Sequence, residues 1–286
     1  MNPVLLGSIA ALCWGTLDFL AGGISRKLGP IRVTAVLTLS GLILITAWLA
    51  FAGEFPSLAR SDLWIPAISG ACFALATAFL FAAIASGPVS LAVPITMAYP
   101  ATSVALAAAL GSVPSLIQVL CILIILVGAF FVSRGEDASE GEPVDSRRRR
   151  KTIICALLAH ATFVIAILAG QKAAPLFGEI ESVWLSRIAG TAVMLPLLFL
   201  PTKEERPRMA DMPLLALFGF LDVLGISLVI AAGKADQPEL ATACATASGT
   251  ITVVLARIFL REHVAPVRWL GIALTFAGVA GLSLLK

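Results

Sequence analysis

Charge is what this sequence has least of. Only 13% of its 286 residues are Asp, Glu, Lys or Arg, against about 25% in a typical soluble domain. Mean hydropathy is +0.99 and 59% of the residues are hydrophobic. So few charges cannot clothe a water-facing exterior, which excludes an ordinary soluble globular fold and makes lipid the main solvent. Histidine and tyrosine are nearly absent, with two and one. The five cysteines, Cys13, Cys72, Cys121, Cys155 and Cys244, are odd in number and scattered through apolar runs. That matches neither a disulfide framework nor a metal site, so they read as small core hydrophobes. A net charge of +3 is too small to imply a nucleic-acid partner. The first apolar run has no Lys/Arg region before it and leads directly into further runs, so it reads as a membrane span rather than a cleaved secretory signal. No Gly-x-Ser-x-Gly, His-Glu-x-x-His, Cys-x-x-Cys or phosphate loop occurs, and neither catalysis, a metal nor a cofactor is expected.

Long apolar runs are what the chain has instead. A helix crossing about 30 Å of hydrocarbon needs roughly 20 mostly apolar residues. That template predicts ten spans: Val4 to Ile24, Val33 to Ala52, Leu63 to Ser86, Val89 to Leu110, Ser115 to Ser133, Thr152 to Gly170, Ser182 to Leu200, Met212 to Gly233, Glu239 to Leu260 and Pro266 to Leu285. Short connections such as Leu28-Gly29-Pro30 and Ser86-Gly87-Pro88 carry helix breakers. The one long polar connection, Arg134 to Lys151, divides the chain into units 1–135 and 152–286 around a linker at 136–151. Leu110, Gln118 and Gly128 recur 150 residues later as Leu260, Arg268 and Gly278, and Gly70 recurs as Gly219. The expectation is an all-α integral membrane protein of ten transmembrane helices in two inverted five-helix repeats, an architecture used by transporters.

Basic residues set the expected orientation. Arg26, Lys27 and Arg32, Arg134 with the run Arg147 to Lys151, Lys203, Arg206 and Arg208, and Arg257, Arg261 and Arg268 all fall on the face opposite the termini. The terminal face has Arg60, Lys172, Arg187, Lys234 and Lys286. This asymmetry predicts extracytoplasmic termini in the cell (inner) membrane, with the Arg147 to Lys151 run as an anchor against anionic headgroups.

Ionisable groups at membrane depth are costly and usually face a cavity or a partner. Asp222 sits mid-span between apolar neighbours and is expected to face the interior, where a mid-span carboxylate is the natural place for proton coupling. Asp18, in Trp14-Gly15-Thr16-Leu17-Asp18-Phe19, reads either as interior-facing or as a wetted carboxylate beside Arg26. Arg187 reads either as interior-facing or as snorkelling to the interface. His160 falls opposite Trp14 when the first helices of the two halves are aligned, and is either a structural residue or a substrate or proton contact. Interrupted spans at matching places mark transport sites. Pro94 and Tyr99-Pro100 interrupt the fourth span, and Ala247-Ser248-Gly249-Thr250 lies at the corresponding depth of the ninth. The candidate substrate-binding residues are therefore Trp14, Asp18, Tyr99, His160, Asp222, Ser248 and Thr250. Ala273, Ala277 and Gly281, spaced by four, form a small-residue face expected to pack inside the chain, consistent with a monomer.

Trp14-Gly15 in the first span, Leu260-Arg261-Glu262 ahead of Gly271 and Gly278, and the five-plus-five division together resemble the EamA-type branch of the drug/metabolite transporter superfamily. The resemblance covers the whole chain, with one departure: Ser112 stands where the family's first half commonly carries a Glu. It implies a basket of helices around a central cavity that moves small organic solutes, often amino acids or related metabolites and commonly outward. The family commonly has cytoplasmic termini, opposite to the charge reading. Aromatic rings, acids and hydroxyls at the candidate site suit an amphipathic or zwitterionic small-molecule substrate. A lipid-linked flippase or a sugar permease on the same scaffold is the alternative reading, and a membrane enzyme or scaffold without transport is a further one.

Overall fold

The structure, a computed structural model, describes residues 2–53, 55–56, 61–86, 95–96, 99, 102, 106, 114–133, 146–199, 205, 207–255, 258–259 and 266–284. Its helices are α1 (Pro3–Leu28), α2 (Pro30–Ala52), α3 (Trp64–Ser86), α4 (Leu116–Ser133), α5 (Ser146–Phe177), α6 (Glu179–Met194), α7 (Met212–Ala231), α8 (Glu239–Ala245), α9 (Ser248–Leu255) and α10 (Pro266–Leu284). The chain is a multi-pass helical membrane protein, but the span count needs correcting. Among the described residues six helices are long and apolar enough to cross a membrane: Pro3–Leu20, Pro30–Ala52, Ser61–Ala83, Ser146–Phe177, Glu179–Phe199 and Met209–Lys234. Two shorter apolar helices are Leu116–Val132 and Trp269–Leu282. Ten transmembrane helices in two inverted five-helix repeats are therefore not what the described residues form.

The physical reason is that an apolar run measures composition, not helix continuity. Between α8 and α9 the backbone turns: Ala247 N–H donates to Cys244 O at 3.1 Å, and the Thr246 hydroxyl donates to the Ala243 carbonyl. Within the ninth predicted span the described helices are thus Glu239–Ala245 and Ser248–Leu255, separated by this turn rather than continuous. Most of the fourth predicted span, including Pro94 and Pro100, lies outside the described residues, as do Ser112, Leu260 to Glu262 and linker residues 136–145. The remainder of the linker is helical, since α5 begins at Ser146 and carries the Arg147 to Lys151 run in its first turns.

Local chemistry sets the helix ends. The Asn2 side-chain oxygen accepts from the N–H of Val4 at 3.0 Å and of Leu5 at 3.3 Å, capping α1. Gly29 adopts φ 82° between α1 and α2, in the left-handed region that favours glycine, and Pro30 starts α2.

Helices α1, α3, α5, α6 and α7 enclose the main core, with Phe73, Ala76, Ile167, Val183, Val229 and Ile230 buried in it. Contacts between α3 and α5 and between α4 and α10 dominate the packing. The α4–α10 contact is made by glycine. A methyl group on Gly271 would lie 2.6 Å from the Gly128 carbonyl oxygen and 2.6 Å from Val132 N, and one on Gly278 would lie 2.8 Å from the Cys121 carbonyl oxygen. This corrects the small-residue face expected on the last span. Gly281 does approach Cys121, but Ala273 and Ala277 are exposed, and the buried stripe is Gly271, Thr275, Gly278 and Leu282. Leu116, Leu123, Trp269 and Phe276 cover the outer surface of this pair, an apolar exterior that only lipid solvates well.

Candidate functional site

Helix spacing decides which side chains meet inside the bundle. On α1, Trp14 and Asp18 are four residues apart and share one face. A neighbouring face carries Gly7 and Gly15, which bring α1 against α8 and α9: a methyl group on Gly15 would lie 2.7 Å from the Ser248 carbonyl oxygen. Thr252 Oγ1 donates to the Gly15 carbonyl at 3.0 Å across the same contact. With that side of α1 packed, Trp14 and Asp18 face a cavity. Tyr99, Asp222 and Ser248 line it as well, together with Phe73 and Thr77 of α3 and Phe163 of α5.

Aromatic rings form a continuous wall. Trp14 and Phe73 have centroids 6.1 Å apart, Phe73 meets Phe163 edge to face at 5.6 Å, and Tyr99 stacks on Phe163 at 5.4 Å. The distances lie in the range of favourable aromatic pairing. The Trp14 indole also lies against α7, where Gly225 makes room: a methyl group there would sit 2.7 Å from the indole nitrogen.

Electrostatics divide the two acids. Arg187 Nη1 is 2.6 Å from Asp222 Oδ2, with the two side chains 5% and 6% exposed. This settles the position of Arg187: it points inward rather than snorkelling to the interface. Its guanidinium carbon is 5.4 Å from the centroid of the Phe73 ring, a cation–π contact. Arg187 is delivered by the crossing of α6 with α3, where Gly190 lies against the Gly70 carbonyl. Asp18, by contrast, lines the cavity without an ion pair or hydrogen bond among the described residues. The Arg26 side chain, its alternative companion, lies outside the described residues.

The remaining two candidates sit elsewhere. His160 bonds through Nε2 to Thr102 Oγ1 at 2.9 Å and through Nδ1 to the Ile95 carbonyl at 3.1 Å, so it ties residues 95 and 102 to α5 instead of lining the cavity. Thr250 donates to Thr275 Oγ1 at 3.2 Å and is fully buried toward α10. Sequence reading missed Phe73 and Phe163, which carry the centre of the aromatic wall, because phenylalanine within an apolar run gives no signal of its own. Near the α5–α6 turn Gln171 ties α5 to α7 and α8: its Nε2 is within donating distance of the Val229 and Pro238 carbonyls at 3.2 and 2.9 Å and of Thr242 Oγ1 at 3.3 Å.

No group of three or more His, Cys, Asp or Glu able to hold a metal occurs among the described residues. A polytopic helical protein with an internal cavity edged by rings and acids has the form of a membrane transporter. The sequence profile of the EamA-like transporter family matches residues 1–134 and 150–284, so the chain belongs to that family, within the drug/metabolite transporter superfamily. It is a secondary transporter of this type. No curated protein matches the sequence. A solved crystal structure is similar with a TM-score of 0.78 at 18% identity, covering 99% of this chain and 96% of that one, which establishes the shared fold.

Proposed function

We infer that the protein moves a small organic metabolite, an amino acid or a related amphipathic solute, outward through the central cavity by alternating access. The observation that carries this reading is the convergence of Trp14, Asp18, Tyr99, Asp222 and Ser248 on one cavity lined mainly by apolar and aromatic side chains. An apolar body with a few placed polar groups is how such sites recognise amphipathic ligands. Trp14, Tyr99 and Ser248 contact the solute, and Asp18 supplies the free charge. His160 and Thr250 support the walls from behind.

Where transport is coupled to protons, Asp18 is the exchanging group. Asp222 faces it from α7 but is held by Arg187, and Tyr99 is the other ionisable group facing it; Leu37, Thr77 and Ser248 bring no charge. The chain works as a monomer, its glycine-rich faces being spent on contacts within the chain. Units 1–135 and 152–286 are its two halves around the 136–151 linker, and the Lys/Arg bias places both termini outside the cytoplasm of the cell (inner) membrane.

The test is counterflow by purified protein in liposomes, screened with amino acids, sugars and cationic drugs. Counterflow of an amphipathic amine or amino acid supports the reading. Counterflow of sugars alone would replace it with a permease, and a protein inert to every solute would remove small-solute transport. A reporter fused after Lys286 that is active only in the cytoplasm would reverse the orientation.

A further inference from the structure

Resting on the reading of the central cavity as the solute site, we propose that its solute carries a positive charge, an ammonium on an aromatic or aliphatic body, and that Asp18 is the counter-ion. Among the described residues the cavity wall holds two carboxylates, Asp18 and Asp222. Arg187 neutralises Asp222 at 2.6 Å, and its guanidinium is further occupied by the Phe73 ring at 5.4 Å. Among the described residues Asp18 is left as an uncompensated carboxylate.

Among the described residues lining the cavity, the other elements offer apolar, aromatic or hydroxyl groups: Leu37 from α2, Thr77 from α3, Phe163 from α5 and Ser248 from α9. Within such walls an unpaired negative charge attracts a cation strongly, because little water remains to screen it. Inorganic divalent cations prefer several carboxylate or carbonyl ligands, and no group of three or more His, Cys, Asp or Glu that could hold one occurs among the described residues. The faces of Trp14, Phe73, Tyr99 and Phe163 instead favour an organic ammonium, whose charge the ring faces attract while its hydrocarbon body packs against them.

The same arrangement discriminates against an α-amino acid. Its carboxylate would need a free cation in the cavity, and Arg187 lies behind Phe73 in a smaller neighbouring pocket with Thr38, Ser69 and Ser186. Amphipathic amines are thus preferred over zwitterions of the same shape, and anions are rejected by the like charge of Asp18.

Equilibrium dialysis of the purified full-length protein in detergent tests this with four probes that share one phenyl body: phenethylamine, phenylalanine, 2-phenylethanol and 3-phenylpropionate. We expect phenethylamine to bind about tenfold or more tightly than the other three. Asp18→Asn should erase that preference while leaving 2-phenylethanol binding within about twofold, and Asp18→Glu should keep the preference. Equal binding of amine and alcohol, tighter binding of phenylalanine than of phenethylamine, or an amine preference that survives Asp18→Asn would each overturn the assignment of charge and leave the cavity as the site. Failure of all four probes to bind would overturn the site itself. The wild-type ranking decides the matter even where a variant fails to fold.

Discussion

Two parts of this bundle use nearly the same apolar alphabet to opposite ends. The α4–α10 pair is closed by Gly128, Gly271 and Gly278, where backbone meets backbone. Around the cavity, α1, α3 and α5 turn aromatic rings inward to meet Tyr99, and an ion pair crosses from α6 to α7. Membrane helices gain little from burying one apolar surface against another, since lipid is equally apolar, and separation is decided by side-chain size and polar contacts. Glycine at the crossing gives contact, whereas bulky rings with a charge to satisfy leave space.

The largest break in that comparison should come from Arg187→Leu. It strands the buried Asp222 carboxylate, a loss on the order of 3 to 5 kcal/mol where a buried pair loses one partner, read as a lowered Tm in detergent. Arg187→Leu combined with Asp222→Leu should recover much of it. If the double variant is no more stable than the single, the pair contributes nothing beyond packing. Next in size is Gly271→Ala, which sets a methyl group against the Gly128 carbonyl and Val132 N and should cost roughly 1 to 3 kcal/mol by overpacking. Transport by the surviving fraction should be unchanged, because no cavity wall moves.

Gly225→Ala reverses that pattern. Its methyl group displaces the Trp14 indole, so transport should fall several-fold while Tm drops by only about 1 kcal/mol equivalent. A variant with normal transport would mean that Trp14 is not a cavity wall that matters. The smallest effect belongs to Lys27→Ala. The Lys27–Asp211 contact at 3.0 Å is exposed, and its loss should leave Tm unchanged within error.

How much of the site the sequence revealed follows from the same physics. Asp18, Asp222, Trp14, Tyr99 and Ser248 stand out in apolar runs because each is polar or unusual there. Phe73 and Phe163 are two of fifteen phenylalanines and cannot be told from lipid-facing ones without a fold. The pairing of Arg187 with Asp222 joins different helices and leaves no local spacing to read. Thr250 was grouped with Ser248, yet residues two apart lie on nearly opposite sides of a helix, and Thr250 turns to Thr275. Ala273 and Ala277 share a four-residue spacing with Gly281, but the buried stripe of α10 runs through Gly271, Thr275 and Gly278. Composition alone does not show which of several small-residue stripes a neighbour will choose. The ten-span reading failed for a related reason: nothing in the apolarity of 239–255 reveals the turn at Thr246 and Ala247.

Cysteine accessibility tests most directly whether this cavity is the solute path. In a background with the five native cysteines replaced, cysteines at Tyr99 and Ser248 should react with a small water-soluble thiol reagent and be protected by a transported solute. Cysteines at Leu123, exposed on the lipid-facing side of α4, and at Leu274 of α10 should stay unreactive. Silence at both Tyr99 and Ser248, or equal labelling at all four positions, would contradict the account.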